Sequence, residues 1–451
     1  MLNKNLEFNQ AELIVDKVVK DDREVVFLSR NNISPDGYST IEIKDMLRFV
    51  ALKRLNNYWN IPCFGDSSSD LPKETQFLLW ENKSGQHCLL LPLVDRDVRT
   101  TLEGSAYSPK VVWEGELPGQ EVDTPALLAF ACGSNPYKLI KDTVKVVSDY
   151  LKTFRIREEK HIPEFVDYFG WCTWDAFYNK VTEEDVLNGL ESFSKGSVQP
   201  GFMILDDGWQ DVCNENKTLK SFDANNKFPN GLLPLVNEAK NKYGIKKFGV
   251  WHAFEGYWSG VDPEGSLAKD YEIVPNQKTV APKPGETVGQ TYYLKLLSPV
   301  DIHRFYNDYY YKLRQQGVDM VKVDNQSSLQ DFTNNHFGRG SAMRRYQEAF
   351  QGASQNYFSG NTIHCMSNCN DVAYNMNSAV VWRNSDDYYP KRGIDVQQDH
   401  IFNNSINALW TSTFSLPDWD MFQSHGTCAE MHAAARAISG GPVYVCDSPG
   451  K

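Results

Sequence analysis

The run Val321-Lys322-Val323-Asp324-Asn325-Gln326 has the make-up of a short buried strand that ends by delivering a carboxylate into a polar loop. Side chains alternate along a strand, so Val321 and Val323 take one face and Lys322 and Asp324 the other. Two charges on the far face of an apolar strand need either each other or a site to line. As a plain Lys–Asp pair they would close a strand end. As site residues, Asp324 is a candidate nucleophile and Lys322 a donor that holds a polar ligand beside it.

The same layout recurs through the second half of the chain. Strand-length apolar runs end in Trp171-Cys172-Thr173-Trp174-Asp175, Asp206-Asp207-Gly208-Trp209, Trp251-His252, Asp324, Cys365 to Asn370, Arg383-Asn384-Ser385-Asp386-Asp387 and Asp418-Trp419-Asp420. Carboxylates, amides and indoles at one mouth, with no evident metal-ligand set, point to glycoside chemistry. One carboxylate attacks or activates water while a second protonates the leaving oxygen. With Asp324 as nucleophile, the Asp386–Asp387 pair is the natural source of the acid/base. Adjacent carboxylates raise each other's pKa, although on an extended segment only one of the two faces the substrate. Arg383 could bond a hydroxyl or neutralise this pair.

Asp206 and Asp207 side by side suit bidentate acceptance from two sugar hydroxyls, or a divalent cation with Asp324 as third ligand. His252, His364 and His425 lack a paired metal-ligand spacing and read as hydrogen-bonding side chains. Cys365 and Cys369 lie four apart, but no base or oxyanion hole for a cysteine nucleophile is apparent.

These ends need a scaffold. Tyr168–Trp171, Phe202–Leu205, Phe248–Trp251, Met320–Val323, Thr362–Met366, Ala379–Trp382, a weaker Leu416–Phe422 and Val443–Val445 are strand candidates. Helical patterns alternate with them: Glu183–Phe193 behind Thr182 as N-cap, residues 301–316 stopped by Gly317, and spans near 232–243, 340–352, 398–412 and 428–438. Eight strands alternating with helices predict a (β/α)8 TIM-type barrel over residues 159–451, with its chemistry at the strand C-termini. The Gly-rich dinucleotide turn of a doubly wound sheet is missing. Residues 1–158 read as a β-sandwich-like domain, with strand runs separated by turn residues and a helix from Pro136 leading into the charged Arg155–Lys160 linker.

Composition narrows the partners. The chain has 451 residues and a net charge of −12, which argues against nucleic acid or an anionic membrane surface and suits a neutral ligand. Its 13% aromatic content fits a sugar site, because flat rings with polar edges pack against sugars. Met1-Leu2-Asn3-Lys4-Asn5-Leu6-Glu7 has no apolar core, and no run of about 18 apolar residues occurs, so a cytoplasmic protein is expected. Nine scattered cysteines without paired CxxC motifs support neither zinc nor a disulfide framework, and no cofactor is expected.

The assembled motifs resemble glycoside hydrolase family thirty-six, in its raffinose synthase and alkaline α-galactosidase (seed imbibition protein-like) group. The matching stretches are Phe169–Tyr178, Asp206–Gln210, Trp251–Ala253 with Gly256–Gly260, Lys322–Gln326, Arg383–Asp387, Pro417–Phe422 and Gly440–Val445, in the family's order. The resemblance implies a retaining α-galactosidase that cleaves terminal α-galactosides of galactose-containing oligosaccharides through a covalent intermediate. It places the nucleophile at Asp324 and favours Asp387, four residues after Arg383, over Asp386 as acid/base. Trp174, Asp206, Asp207, Lys322 and Arg383 fall on positions that hold the galactose ring. Trp251, His252, Cys369, Asp418 and Trp419 complete the expected substrate-binding set. A galactosyltransferase using the same intermediate, and a truncated sugar-binding protein without turnover, are the alternatives. Hydrolysis is favoured by the short stretch between Asp207 and Trp251. The family continues past its eighth strand through a last barrel helix into a C-terminal β-domain, and with Ser448-Pro449-Gly450-Lys451 at the end of this sequence both are expected to be absent.

Overall fold

The computed structural model describes residues 2–8, 13–20, 23–34, 36–115, 121–280, 290–333 and 336–451. The N-terminal part is antiparallel. Its strands join one twelve-stranded sheet rather than the two separate sheets of a simple sandwich. Alternation gives the central strands two apolar faces here. Val26, Leu28, Leu78, Trp80, Leu90, Phe130 and Trp113 gather in one core, so the sheet bends over it. The opposite face, with Phe27, Phe77, Leu79, Leu89 and Leu91, belongs to a second core shared with the rest of the chain.

Helix α1 (Pro136–Leu151) follows, capped by the Asn135 side chain on the Lys138 amide. Eight parallel strands come next: β1 (Phe169–Cys172), β2 (Phe202–Leu205), β3 (Lys247–Ala253), β4 (Met320–Asp324), β5 (Thr362–His364), β6 (Val381–Arg383), β7 (Leu416–Asp418) and β8 (Val443–Val445). They pair in sequence order from β1 to β7, and β8 pairs with β1. Just beyond β7, Phe422 bridges Val445 of β8, which brings the two edges of the sheet together. Most strands are buried throughout and apolar, as a sheet covered on both faces requires.

The connecting helices are α2 (Glu183–Lys195), α3 (Leu233–Asn241), α4 (Ile302–Gln315), α5 (Arg339–Phe358), α6 (Ile394–Thr411) and α7 (Ala429–Ser439). The Thr182–Asp185 signal is a full capping box at the start of α2. Two hairpins were not legible in the sequence. Gln210–Cys213 pairs with Thr218–Ala224 after β2, and Ile273–Val280 pairs with Gln290–Leu297 after β3.

Between β5 and β6 only the short turn Asn370–Ala373 is helical. The N-terminal sheet fills that place. The Asn370 amide donates to Gln76 Oε1 at 2.8 Å and its Nδ2 to the Pro92 carbonyl at 3.1 Å, while Phe77 packs on Trp410 of α6. Phe154, past α1, packs against Tyr374 and Phe414. A buried ion network fastens the same seam. Arg99, 2% exposed, meets Glu74 at 2.5 Å, Glu114 at 3.0 Å and Asp371 at 3.5 Å. Arg339 reaches across from α5 to Glu114 and Asp371. Among the described residues no helix is long and apolar enough to cross a membrane.

Removing one cation from this network leaves Asp371, 1% exposed, short of a partner. Arg99→Met is expected to lower unfolding stability by about 3 kcal/mol, read from the urea midpoint. An unchanged midpoint would show that the seam does not depend on these charges.

Candidate active site

The site lies at the C-terminal ends of the parallel strands and is organised by two buried cations. Lys322, on the inward face of β4, donates to Asp206 Oδ2 at 2.8 Å. Burial alone would lower the Lys322 pKa, but Asp206 and the neighbouring Cys172, Cys365 and Asp420 outweigh it and hold the ammonium well above its ordinary value. Asp206 also receives the Cys172 thiol at 3.2 Å and, on its other oxygen, the Asp207 amide at 2.8 Å. A cation already compensates Asp206, which opposes a divalent ion there. Among the described residues no three His, Cys, Asp or Glu side chains are arranged to hold a metal.

Asp207 faces a different set of donors. Tyr257 OH lies 3.0 Å from Oδ1 and Trp258 Nε1 3.0 Å from Oδ2. Burial raises its pKa to about 6, with Asp206 adding to the rise and the Trp258 bond opposing it. Such a carboxylate, with lone pairs left over, is a ready acceptor for sugar hydroxyls.

Asp324 ends β4 with both oxygens held. Trp251 Nε1 donates to Oδ2 at 3.0 Å and the Asn325 amide to Oδ1 at 2.8 Å. Asn325 turns the chain at a φ of 64°, in the left-handed region that Asn tolerates, and this aims its N–H back at the carboxylate. One hydrogen bond per oxygen fixes the group while leaving lone pairs for attack.

Arg383, 1% exposed at the end of β6, is the second cation. It reaches Asp387 at 2.5 Å, Asp420 at 3.0 Å and the Cys365 sulfur at 3.4 Å. Asp387 is enclosed by protein groups yet keeps 44% of its side-chain surface open to solvent. Burial is the main cause of a pKa pushed up to about 6; Arg383 pulls it down, and Asp420 and Asp324 push it up. Asp386 differs. Its Oδ1 accepts from the Asp387 amide at 2.7 Å and from Tyr389 OH at 3.1 Å, so it braces the loop. Trp174 opens a short helical turn after β1, half-buried, with its ring edge-on to Tyr178.

Three residues expected in the site, His252, Cys369 and Asp418, are placed otherwise. His252 alternates with Trp251 on β3 and so points outward, where its ring packs among Tyr306, Tyr309 and Tyr310 of α4 and bonds Tyr310 OH at 2.9 Å. Cys369 lies in the seam, accepting from Ser327 Oγ at 3.1 Å, whereas Cys365 sits beside Arg383. Asp418 is fully buried, and its oxygens are taken by Tyr444 OH and the Asp420 amide, each at 2.9 Å. Trp419 is 7% exposed and holds α6 through its carbonyl, on His400.

Two residues came from a region that showed no site in the sequence. Tyr58 and Trp59 lie at the tip of the hairpin formed by Met46–Leu55 and Trp59–Gly65. Burial and the field of Asp331, Asp386, Asp324 and Asp387 raise the Tyr58 pKa, which places its ring at the mouth. Arg383 lies over the Trp59 ring, 5.3 Å from its centroid. Nothing local in Asn57-Tyr58-Trp59 signals this; only the packing of the N-terminal sheet against the parallel strands does.

Solved structures share the architecture. An α-galactosidase from Thermus thermophilus in complex with p-nitrophenyl α-D-galactopyranoside aligns over 97% of this chain and 91% of its own, with a TM-score of 0.61 at 14% identity. The glycoside hydrolase family 36 α-galactosidase AgaA from Geobacillus stearothermophilus covers 98% of this chain and 69% of its own, with a TM-score of 0.52 at 12% identity. The fold is therefore that of an α-galactosidase of this kind. More narrowly, the chain belongs to the raffinose synthase or seed imbibition protein Sip1 family, whose sequence model matches residues 5–231 and 213–451. A probable galactinol–sucrose galactosyltransferase from Arabidopsis thaliana is 36% identical over 90% of this chain and 59% of its own length. The galactinol–sucrose galactosyltransferase of Pisum sativum is 30% identical over 96% of this chain and 62% of its own. The chain thus spans about six tenths of the length of these relatives.

Lys322→Met would strand Asp206 in a buried setting without its counter-charge. Were the chain to act on an α-galactoside, as proposed below, the substitution would lower kcat/KM by about a hundredfold or more while the fold persists, as checked by circular dichroism and steady-state kinetics. A loss under threefold would remove Lys322 from the site.

Proposed function

We propose that this chain is a retaining enzyme acting on terminal α-galactosides of raffinose or melibiose type. An Asp324 oxygen attacks the anomeric carbon of galactose. The glycosidic C–O bond breaks as Asp387 passes its proton to the leaving oxygen, and a galactosyl ester forms on Asp324. Asp387, now ionised, removes a proton from an incoming hydroxyl, which attacks the same carbon and frees Asp324. Lys322, Asp206 and Asp207 hold the ring by its hydroxyls. The observation that carries this reading is the contrast between the two carboxylates: Asp324 has each oxygen fixed by one donor, while Asp387 has a raised pKa and an open face.

The incoming hydroxyl is read first as water, because solvent reaches Asp387. Transfer to a sugar is the second reading. It is favoured by the names of the relatives, which include galactinol–sucrose galactosyltransferases and, at 28% identity, a stachyose synthase from Pisum sativum. Incubation with galactinol, with and without sucrose, separates the two. Free galactose unaffected by sucrose marks a hydrolase; trisaccharide formed at the expense of galactose marks a transferase.

Two outcomes test the chemistry itself. Asp324→Gly is expected to lose turnover of an aryl α-galactoside and to regain it with azide, giving a β-galactosyl azide; failure of both would sink the assignment of Asp324. Asp387 acts as an acid only while protonated, so kcat/KM is expected to fall as pH rises through about 6. A limb that persists unchanged in Asp387→Asn would belong to another group.

A further inference from the structure

Among the described residues, Arg383 meets Asp387, Asp420 and Cys365 through its two terminal nitrogens, and its buried Nε has no hydrogen-bond partner. Edge bonds alone leave the guanidinium plane free to rock about them. The guanidinium carbon lies over the indole ring of Trp59, 5.3 Å from its centroid. Trp59 is 3% exposed although it sits at a hairpin tip, because the tip is sunk into the barrel mouth.

Several bonds hold the tip there. Asn57 donates to Asp331 at 2.8 Å, the Tyr58 carbonyl accepts from the Asn368 amide at 3.1 Å, and the Asn60 carbonyl accepts from Asn407 at 2.9 Å. Asn407 also donates to the carbonyl of Asn384, next to Arg383, at 2.8 Å. The turn that makes this reach possible starts at Asn56, with a φ of 58°.

We propose that Trp59 is a positioning residue for the acid/base: its indole face fixes and shields Arg383, and Arg383 in turn orients Asp387. The inference rests on the reading of Asp387 as acid/base given above. An aromatic face both attracts the cation and keeps water from the ion pair, so its removal loosens Arg383. The groups facing Asp387 are Arg383, Lys322, Asp324 and Asp420. Asp175, Tyr58 and Tyr389 also feel its charge, and Asp386 adjoins it.

The test compares Trp59→Leu and Trp59→Phe on two α-galactosides, one with a good nitrophenol leaving group and one with a sugar leaving group. Protonation matters for the second and little for the first. For Trp59→Leu, kcat on the sugar substrate is expected to fall about tenfold with KM within about twofold, and loss on the aryl substrate to be smaller. The falling limb of kcat/KM should move to higher pH as Arg383 withdraws its pull. Trp59→Phe, which keeps a ring, should stay near wild type. Equal losses on both substrates with an unmoved limb, or no loss at all, would overturn the proposal. If Trp59→Leu fails to fold, a trifluorinated tryptophan introduced at position 59 keeps the shape and weakens the ring's attraction for the cation. The same leaving-group-dependent loss is then expected, and unchanged kinetics would overturn the proposal. A wild type that is active and rescued by azide at Asp324→Gly, with Trp59 variants unaffected, refutes only the role of Trp59. A wild type silent on every α-galactoside removes both readings.

Discussion

Carboxylates cannot be gathered in a buried mouth unless cations are buried with them. Each ionised group taken from water loses solvation that the interior cannot replace, and like charges at close range drive protonation. Here Asp206, Asp324, Asp387, Asp418 and Asp420 converge on the ends of a parallel sheet, and two cations make that possible. Lys322 takes Asp206; Arg383 takes Asp387 and Asp420 together. Asp207 and Asp324, held by aromatic and backbone donors instead, keep lone pairs free for a ligand.

The distribution of partners then separates roles among chemically identical side chains. Asp206 is bound to an ammonium, a thiol and an amide, and is the most committed. Asp418 is spent on Tyr444 and on its own loop, and Asp386 on the backbone and Tyr389. Asp324 and Asp387 are oriented without being saturated, so each keeps lone pairs free for a ligand. Aromatic donors contribute orientation as well as surface: Trp251 and Trp258 each direct an indole N–H at a carboxylate.

The N-terminal sheet is part of this arrangement rather than an appendage. It occupies the flank where a helix between β5 and β6 would lie, and its buried face continues the barrel core. The ion network of Arg99, Arg339, Glu74, Glu114 and Asp371 fixes the register of the two parts, so a hairpin tip can be held against Arg383. Docking of a rigid sheet places a side chain more reproducibly than a long loop of the barrel could.

Alternation and charge placement along the chain were enough to establish the parallel strands, the capped helix after Thr182, and Lys322 and Asp324 sharing one face of β4. These are local consequences of the period-two strand and of backbone groups that need caps. Which way a strand faces was less accessible. Trp251 and His252 are neighbours at one strand end, and only packing against α4 turned the histidine outward. Cys365 and Cys369 are alike in sequence, yet the turn after β5 put one beside Arg383 and the other in the domain seam. The twelve-stranded continuity of the first domain, the two hairpins after β2 and β3, and the reach of Tyr58 and Trp59 into the mouth all depend on contacts between residues far apart in the chain. A sequence encodes such contacts only through the complete set of packed surfaces. Tertiary structure therefore decided which of the many polar strand ends face one another.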